Sequence, residues 1–229
     1  MISEVYNVDC LEYMRSLPDK HFDLCIADPP YGIGECGAKN HSRFKIAKAK
    51  EYTAKDWDFQ ALPKEHFDEI LRVCKKAIIW GANHFISKIP YDSSCWIVWD
   101  KENGDNDFAD CELAWTNFNT AVRRFKFRWA GMLQGNMKHK ETRIHPTQKP
   151  IALYSWILDN YANQGDRIFD PFLGSGSSRI AAYKKGFDFY ACELDKDYYE
   201  AQEERFRKEC FGEIKDSNGQ KVTQLSLFD

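Results

Sequence analysis

Residues 22–32 read FDLCIADPPYG, a mostly apolar run that ends in a carboxylate, two prolines and a tyrosine. Residues 22–27 are typical of a strand buried on both faces of a parallel sheet. Similar short apolar runs recur along the chain, and they alternate with segments of helical spacing at 65–75, 150–161 and 196–210. This alternation predicts an α/β fold with a doubly wound, mostly parallel sheet.

Length and composition restrict the class of protein. The 229 residues fit one α/β domain better than two. The content of 43% hydrophobic and 15% aromatic residues excludes wholesale disorder. No stretch approaches the ~18 apolar residues of a membrane helix, and residues 1–5 do not resemble a signal peptide, so we predict a cytoplasmic protein without membrane contact. The eight cysteines include no Cys-x-x-Cys pair, so we predict reduced thiols and no metal site.

The net charge of −3 is distributed unevenly. Residues 38–55 sum to a formal charge of +5 and residues 121–149 to +7, which leaves an acidic remainder. This polarisation favours a face that binds nucleic acid, and an ordinary solvated surface is the alternative. The predicted contacts lie in a basic loop, 33–60, and in a second region, 118–144: Lys39, Arg43, Lys45, Lys48, Arg124, Lys126, Arg128 and Lys138.

Within the second region, residues 123–129 (RRFKFRW) alternate between basic and aromatic side chains. Because successive side chains of a strand point to opposite faces, a strand here has one basic and one aromatic face. We expect the aromatic face to pack on the core and the basic face to meet phosphates.

The first chemical motif is Asp28-Pro29-Pro30-Tyr31, directly after the predicted strand. The two prolines lack backbone N–H groups and fix φ, so their carbonyls point outward rigidly. A carboxylate, a fixed carbonyl and an aromatic ring then meet at the end of a strand. This combination is suited to accepting both hydrogens of an amino group while the ring stacks on the base that bears it. A proline-rich turn that caps the strand is the alternative.

The second motif, residues 170–177, reads DPFLGSGS and follows a predicted strand at 167–169. Its glycines allow a tight turn and close approach to a ligand, and the helix after it offers free N–H groups. Glu193, which ends the next strand, is placed to bind ribose hydroxyls. Because Arg179 occupies the third glycine position of a dinucleotide fingerprint, the motif predicts a nucleoside pocket without a pyrophosphate cradle.

A nicotinamide-dependent oxidoreductase is a remote alternative. Residues 32–37, GIGECG, formally match the dinucleotide fingerprint G-x-G-x-x-G. That fingerprint needs a helix to begin at this point, whereas here a double proline and a lysine-rich segment surround it.

Both motifs resemble those of the S-adenosylmethionine-dependent amino-methyltransferases of DNA. The order of the motifs, with His145-Pro146-Thr147-Gln148-Lys149-Pro150 just before the second, resembles the permuted β class. Residues 8–11, VDCL, resemble that class's acidic cofactor contact, and the likeness covers residues 5–210. It implies a class I methyltransferase fold in permuted order, with one domain at 1–213 and a small target-recognition insertion.

The resemblance implies S-adenosyl-L-methionine as the cofactor. Its expected contacts lie around both motifs: Asp9, Cys10, Asp28, His145, Thr147, Gln148, Lys149, Asp170, Pro171, Phe172, Gly174, Ser175, Gly176, Ser177, Glu193 and Leu194. Helix capping is the alternative role for Asp9 and Lys149.

The activity implied is methyl transfer to the exocyclic amino group of a flipped base in double-stranded DNA, as in restriction–modification. Asp28 and the carbonyl of Pro29 or Pro30 would accept the amino hydrogens, and Tyr31 would stack on the base. Asp at position 28 favours N6 of adenine over N4 of cytosine, and N6-adenine in RNA stays open. A non-catalytic nucleic-acid-binding protein is disfavoured by the intact Asp28 and Tyr31.

The end of the chain, 214–229, is predicted to be a flexible tail. Its pentapeptide at 224–228, QLSLF, resembles the peptide with which bacterial replication proteins bind the sliding clamp. The contacts would be Gln224, Leu225, Leu227 and Phe228. Burial of the three apolar side chains by a partner would stabilise the complex. A tail that folds back or frays is the alternative. We expect a monomer or a homodimer.

Overall fold

The computed structural model describes residues 1–34, 58–104, 109–130, 133–215 and 221–223. The strands are β1 (Ser3–Tyr6), β2 (Phe22–Ala27), β3 (Cys74–Trp80), β4 (Trp96–Asp100), β5 (Cys111–Thr116), β6 (Arg123–Lys126), β7 (Trp129–Ala130), β8 (Leu133–Gln134), β9 (Arg167–Asp170), β10 (Asp188–Cys192), β11 (Glu213–Lys215) and β12 (Lys221–Thr223). The helices are α1 (Cys10–Arg15), α2 (Lys64–Val73), α3 (Ile151–Tyr161), α4 (Ser177–Lys184) and α5 (Lys196–Phe211). Two short 3₁₀ turns, Ala82–His84 and Ile86–Lys88, follow β3.

Eight strands form one sheet in the order β1-β10-β9-β2-β3-β5-β4-β6. Only β5 runs antiparallel to its neighbours β3 and β4, and the remaining pairs are parallel. The predicted α/β fold with a mostly parallel sheet is therefore confirmed. It follows from the apolar runs, since strands buried on both faces need helices on both sides.

The core lies in two layers on opposite faces of the sheet. Leu24 and Ile26 of β2 pack in a cluster with α3 and α4, while Cys25 and Ala27 pack in a second cluster with α1 and α2. Each fully buried Leu or Ile stabilises the fold by about 1.5–3 kcal/mol. No helix in the described ranges is long and apolar enough to cross a membrane.

The predicted boundaries are accurate for β2 and need correction elsewhere. The helix predicted at 65–75 ends at Val73, because Cys74 has extended backbone (φ −114°, ψ 144°) and begins β3. The helix predicted from Pro150 begins at Ile151, with Pro150 as the residue that precedes it. The strand predicted at 123–129 is divided, since β6 ends at Lys126 and Trp129 begins a separate ribbon with β8.

Two short strands lie at the start of the predicted tail. Strands β11 and β12 pair antiparallel, with Ile214 opposite Val222. Both are β-branched residues, which favour strands, and the flexibility of the tail stays a prediction. The pentapeptide at 224–228 and most of the basic loop, 35–57, lie outside the described residues.

Candidate active site

Four carboxylates lie at the carboxyl ends of neighbouring parallel strands. Asp9 follows β1, Glu193 follows β10, Asp170 ends β9 and Asp28 follows β2. Open α/β sheets bind ligands at this edge. The sheet order therefore brings the two sequence motifs together, although 142 residues separate Asp28 from Asp170.

The loop after Asp28 is held by a buried carboxylate. Oδ1 of Asp58 accepts hydrogen bonds from the backbone N–H groups of Tyr31, at 2.7 Å, and Gly32, at 2.9 Å. Only 2% of Asp58 is exposed. Because the two prolines before Tyr31 offer no N–H, Asp58 uses the first donors available after them. The sequence analysis missed Asp58, because it lies inside the segment interpreted as a basic loop.

Tyr31 is fixed at its hydroxyl and along its ring. The hydroxyl donates to Oδ1 of Asp28 at 2.8 Å. The ring stacks on the exposed His84, with centroids 5.3 Å apart and planes at 16°. A Cβ atom added to Gly81 would lie 2.1 Å from the Tyr31 ring, so only glycine permits this approach. The sequence analysis singled out neither Gly81 nor His84.

Lys149 contacts the first motif directly. Its Nζ donates to Oδ1 of Asp28 at 2.6 Å and to the Tyr31 hydroxyl at 2.9 Å, and it lies 3.0 Å from Oε2 of Glu112. The Lys149 side chain is 3% exposed. The other oxygen of Glu112 pairs with Lys101. The expected cofactor contact thus lies on the expected catalytic carboxylate, and it does not cap a helix.

Burial and charge act against each other in this cluster. Burial raises the pKa of Asp28, and the Lys149 ammonium opposes that rise. Burial acts to raise the pKa of Glu112 as well, but Lys149 and Lys101 together lower it to about 2. Burial acts to lower the pKa of Lys149, but the two carboxylates outweigh it and raise that pKa. The sequence analysis missed Glu112, although a charged residue inside an apolar strand is an available signal.

The second motif folds as a tight loop with an inward-facing polar network. Gly174 and Gly176 have positive φ of 51° and 73°, which allow the turn before α4. The Gly174 N–H donates to Oε2 of Glu193 at 2.7 Å. Asp170 accepts from the Phe172 N–H at 3.0 Å and from the Ser178 hydroxyl, and burial raises its pKa to about 7.

Other predicted members of the loop are buried in it. Ser175 and Ser177 are 6% and 1% exposed. The Arg205 guanidinium donates to the Ser175 carbonyl at 2.7 Å and to the Ser177 hydroxyl at 2.9 Å, and it pairs with Glu141 at 2.7 Å. Arg205 and Glu141, both missed by the sequence analysis, thus tie the loop to the region at 118–144. Pro171 lies between Asp170 and Phe172 in the same loop.

The 145–150 motif is divided in space. His145 lies beside the loop, since a Cβ on Gly174 would be 3.7 Å from its ring, and it contacts Tyr198 at 4.3 Å between centroids. Thr147 is exposed, and its hydroxyl oxygen lies 3.1 Å from Nδ1 of His145. Gln148 is buried and accepts from the Ile144 N–H at 2.9 Å, so it holds its own loop.

Asp9 caps helix α1. Its Oδ1 accepts from the N–H groups of Leu11 at 2.7 Å and Glu12 at 3.2 Å, as the capping alternative predicts. Potential metal ligands of Asp9, Cys10 and His66 lie within 4.8 Å of one another. Burial raises the pKa of the Cys10 thiol to about 12, which disfavours the thiolate that a metal ion needs.

The edge of the sheet between β9 and β10 has the groups that a nucleoside needs. Both Glu193 oxygens accept backbone N–H groups, from Gly174 and Asp195, and a carboxylate oxygen can accept more than one hydrogen bond. The adjacent Leu194 is 71% exposed and presents an apolar surface for a flat ring. An acceptor beside an exposed apolar side chain fits a ribose and its base.

The basic region at the far end of the sheet has the predicted two faces. Phe125 and Phe127 stack at 5.9 Å, and Phe125 contacts Trp156 of α3 at 5.5 Å, so the aromatic face packs on the core. Arg124 and Lys126 are exposed on β6, the edge strand. Arg128 and Lys138 are exposed beyond it, while Lys39, Arg43, Lys45 and Lys48 lie outside the described residues.

Comparison with known proteins shows which proteins this chain resembles. A family model described as DNA methylase matches residues 98–204. The chain is 22% identical, over 90% of its length and 69% of the relative's, to the Type II methyltransferase M.HinfI of Haemophilus influenzae. The resemblance predicted from the motifs is confirmed.

Two solved structures share the fold. That of the M1.HpyAVI–SAM complex matches 90% of this chain and 100% of its own, with a TM-score of 0.54 and 21% identity. That of the cytosine-N4-specific PvuII DNA methyltransferase matches 90% of this chain and 86% of its own, with a TM-score of 0.59 and 13% identity. The predicted class I methyltransferase fold is confirmed.

Proposed function

We propose that this chain, a relative of the N6 and N4 DNA methylases, transfers a methyl group from S-adenosylmethionine to an exocyclic amino group in DNA, with N6 of adenine as the target. The observation that carries the proposal is the Asp28–Tyr31 pair, hydrogen-bonded at 2.8 Å at the carboxyl edge of the sheet. Its relative M.HinfI is a Type II methyltransferase, so we infer methylation of a specific sequence.

The residues that would hold the cofactor are those of the 170–177 loop together with Glu193 and Leu194. Glu193 offers a carboxylate to ribose hydroxyls, and Leu194 offers an apolar surface to the adenine ring. When bound, S-adenosylmethionine supplies a methyl group on a positively charged sulfur, which keeps the bonding electrons when the amino nitrogen takes the methyl carbon.

The chain's own residues activate the amino group. The exocyclic nitrogen is a poor nucleophile because its lone pair is delocalised into the base. Asp28 and the carbonyl of Pro29 or Pro30 accept its hydrogens and localise that lone pair, and Asp28 takes the proton that the nitrogen loses. Tyr31 supplies the ring on which the flipped base stacks.

The choice of adenine rests on Asp28. In the family that this chain resembles, Asp in this tetrapeptide favours adenine, and N4 of cytosine is the second candidate. The fold is compatible with cytosine as well, since the cytosine-N4-specific PvuII enzyme shares it. The deciding measurement is therefore the identity of the methylated base.

The test is transfer of labelled methyl groups to unmethylated DNA, followed by digestion to nucleosides and their separation. We expect N6-methyladenine from the wild-type chain and none from Asp28→Asn. Label in N4-methylcytosine would correct the base, and label in RNA alone would correct the nucleic acid. No label in any nucleic acid would contradict the proposal.

We also propose that the terminal pentapeptide, 224–228, binds the replication sliding clamp. Gln224 offers a directional hydrogen bond, and Leu225, Leu227 and Phe228 offer apolar side chains for a pocket. Strand β12 ends at Thr223, so the truncation that tests this should keep Thr223 and leave the ribbon intact. Purified clamp should bind the full chain and not the chain that ends at Thr223; equal binding would contradict the proposal.

A further inference from the structure

Asp28 belongs to a charge cluster centred on the buried Lys149. The Lys149 ammonium donates hydrogen bonds to Asp28 Oδ1 at 2.6 Å and to the Tyr31 hydroxyl at 2.9 Å, and it forms an ion pair with Glu112 Oε2 at 3.0 Å. Lys101 pairs with the other Glu112 oxygen, so two cations balance two carboxylates. Each member belongs to a different part of the fold: the loop after β2, strand β5, the segment after β4 and the segment before α3.

The direction of these hydrogen bonds is fixed by chemistry. An ammonium group only donates, so the Tyr31 oxygen accepts from Lys149 and its own hydrogen goes to Asp28. Both hydrogen bonds that the described residues make to Asp28 therefore end on Oδ1. Oδ2 is the oxygen left to accept a hydrogen from a substrate.

We propose that Lys149 is a positioning residue for methyl transfer. Lys149 is paired with Glu112 and keeps Asp28 ionised. Because Lys149 also occupies Oδ1 of Asp28, the amino hydrogen of the substrate is accepted by Oδ2. This inference rests on the proposed function, because it takes Asp28 to be the acceptor of a hydrogen from the substrate amino group.

The physical need for such a residue comes from burial. A carboxyl group removed from water takes up a proton unless a cation or hydrogen bonds stabilise its charge. A protonated Asp28 would be a poorer acceptor and could not take up the proton that the nitrogen loses. A lysine buried without partners would lose its charge for the same reason, and Glu112 prevents this.

Other titratable groups lie near the cluster and contribute to the electrostatic potential at Asp28. Tyr154 of α3 and Asp170 at the end of β9 interact electrostatically with Asp28. Neither one hydrogen-bonds to Asp28 among the residues that the structure describes. Lys149 is the cation in contact with Asp28, so its removal should change the titration of that carboxyl group more than other substitutions in this region.

The first test measures Asp28 directly, without substrate. Carboxyl carbons are followed by NMR as pH is varied, and the Asp28 resonance is assigned by its loss in Asp28→Asn. In Lys149→Met we expect the Asp28 titration midpoint to rise by roughly one to three pH units, because a neighbouring cation depresses a carboxyl pKa by about that much. An unchanged midpoint would overturn the inference.

Two further variants serve as controls for this measurement. Lys149→Met leaves Glu112 with one partner, so Lys149→Met/Glu112→Gln removes both charges and should fold even if the single variant does not. A smaller rise is expected in the double variant, because the Glu112 charge also raises the pKa of Asp28. Lys76→Met is the matched control, since Lys76 is a half-buried lysine that donates to the Tyr161 carbonyl at 3.0 Å, away from Asp28. A rise in Lys76→Met equal to that in Lys149→Met would overturn the inference.

The second test measures transfer. In Lys149→Met the acidic limb of the kcat profile should move to higher pH with the NMR midpoint, and Lys149→Arg should restore the wild-type limb because it restores the charge. A wild-type limb in Lys149→Met would overturn the inference. Absence of transfer by the wild-type chain would instead contradict the proposed function, and the substrate-free midpoint would still decide whether Lys149 controls Asp28.

Discussion

Nζ of Lys149 lies 2.6 Å from Oδ1 of Asp28, although 121 residues separate the two in the chain. This contact joins two of the three sequence motifs, which the sequence analysis assigned to different tasks. It also makes the immediate surroundings of Asp28 a balanced ion cluster.

Gly81→Ala should displace Tyr31. The new methyl group would lie 2.1 Å from the Tyr31 ring, and Gly81 has a φ of 68°. We expect methyl transfer to fall by at least about tenfold, because stacking on a base is worth ~1–3 kcal/mol. The measurement is kcat and KM with a DNA substrate.

The matched control for that substitution is Gly186→Ala. Gly186 has a similar φ of 77°, and a Cβ there meets no atom within 4 Å. Both variants carry a backbone strain of about 1–2 kcal/mol, which urea denaturation measures, and only Gly81→Ala should lose activity. Equal activity in the two variants would show that the Tyr31 ring position is unimportant.

Glu193→Ala should weaken cofactor binding. It removes the acceptor of the Gly174 N–H, 2.7 Å away, and the carboxylate expected to bind ribose hydroxyls. We expect affinity for S-adenosylmethionine to fall about tenfold or more, since a hydrogen bond to a charged group is worth ~1.5–3 kcal/mol. Calorimetry measures this, with the exposed Glu200→Ala as control. Unchanged affinity in Glu193→Ala would show that Glu193 does not bind the cofactor.

Asp170 should make stability depend on pH. Burial raises its pKa to about 7 from an ordinary value of 3.8, so the folded chain holds this proton where the unfolded chain has lost it. The contribution that protonated Asp170 makes to the free energy of unfolding is therefore full at low pH and is lost as pH rises from about 4 through about 7. Asp170→Asn cannot ionise, so its stability relative to the wild type should increase between pH 5 and pH 8.

Urea denaturation of both chains at the two pH values measures this difference. The comparison within each variant cancels effects of the substitution that do not depend on pH. A stability difference between Asp170→Asn and wild type that is the same at pH 5 and pH 8 would mean that Asp170 titrates as an ordinary carboxyl group.

The basic face of β6 should contact DNA phosphates. Replacing Arg124 and Lys126 with Ala should reduce the slope of log affinity against log salt by about 1.8, since each phosphate contact contributes ~0.9. Arg15→Ala/Lys64→Ala, which removes exposed cations from α1 and α2, is the control and should leave the slope unchanged. Equal slopes for Arg124→Ala/Lys126→Ala and wild type would refute the placement of DNA on β6.

The amino-acid sequence predicted the main helices and strands and the edge of the sheet at which the chemistry lies. The apolar run at 22–27 predicted β2 with its observed limits, and the alternation at 123–129 predicted the aromatic face that packs on Trp156. Carboxylates after parallel strands were expected at one edge because parallel strands end together. These predictions succeed because periodicity and strand ends are local properties of the chain.

The partners of the site residues follow from the three-dimensional fold and not from the sequence pattern. Lys149 was expected at the cofactor and lies on Asp28, and Asp58 holds the loop of Tyr31 from a segment interpreted as a basic loop. Glu112 reaches Lys149 because β5 is inserted antiparallel between β3 and β4. Sheet order sets such contacts, and it is fixed by the packing of the whole core, so no spacing between residues along the chain encodes them.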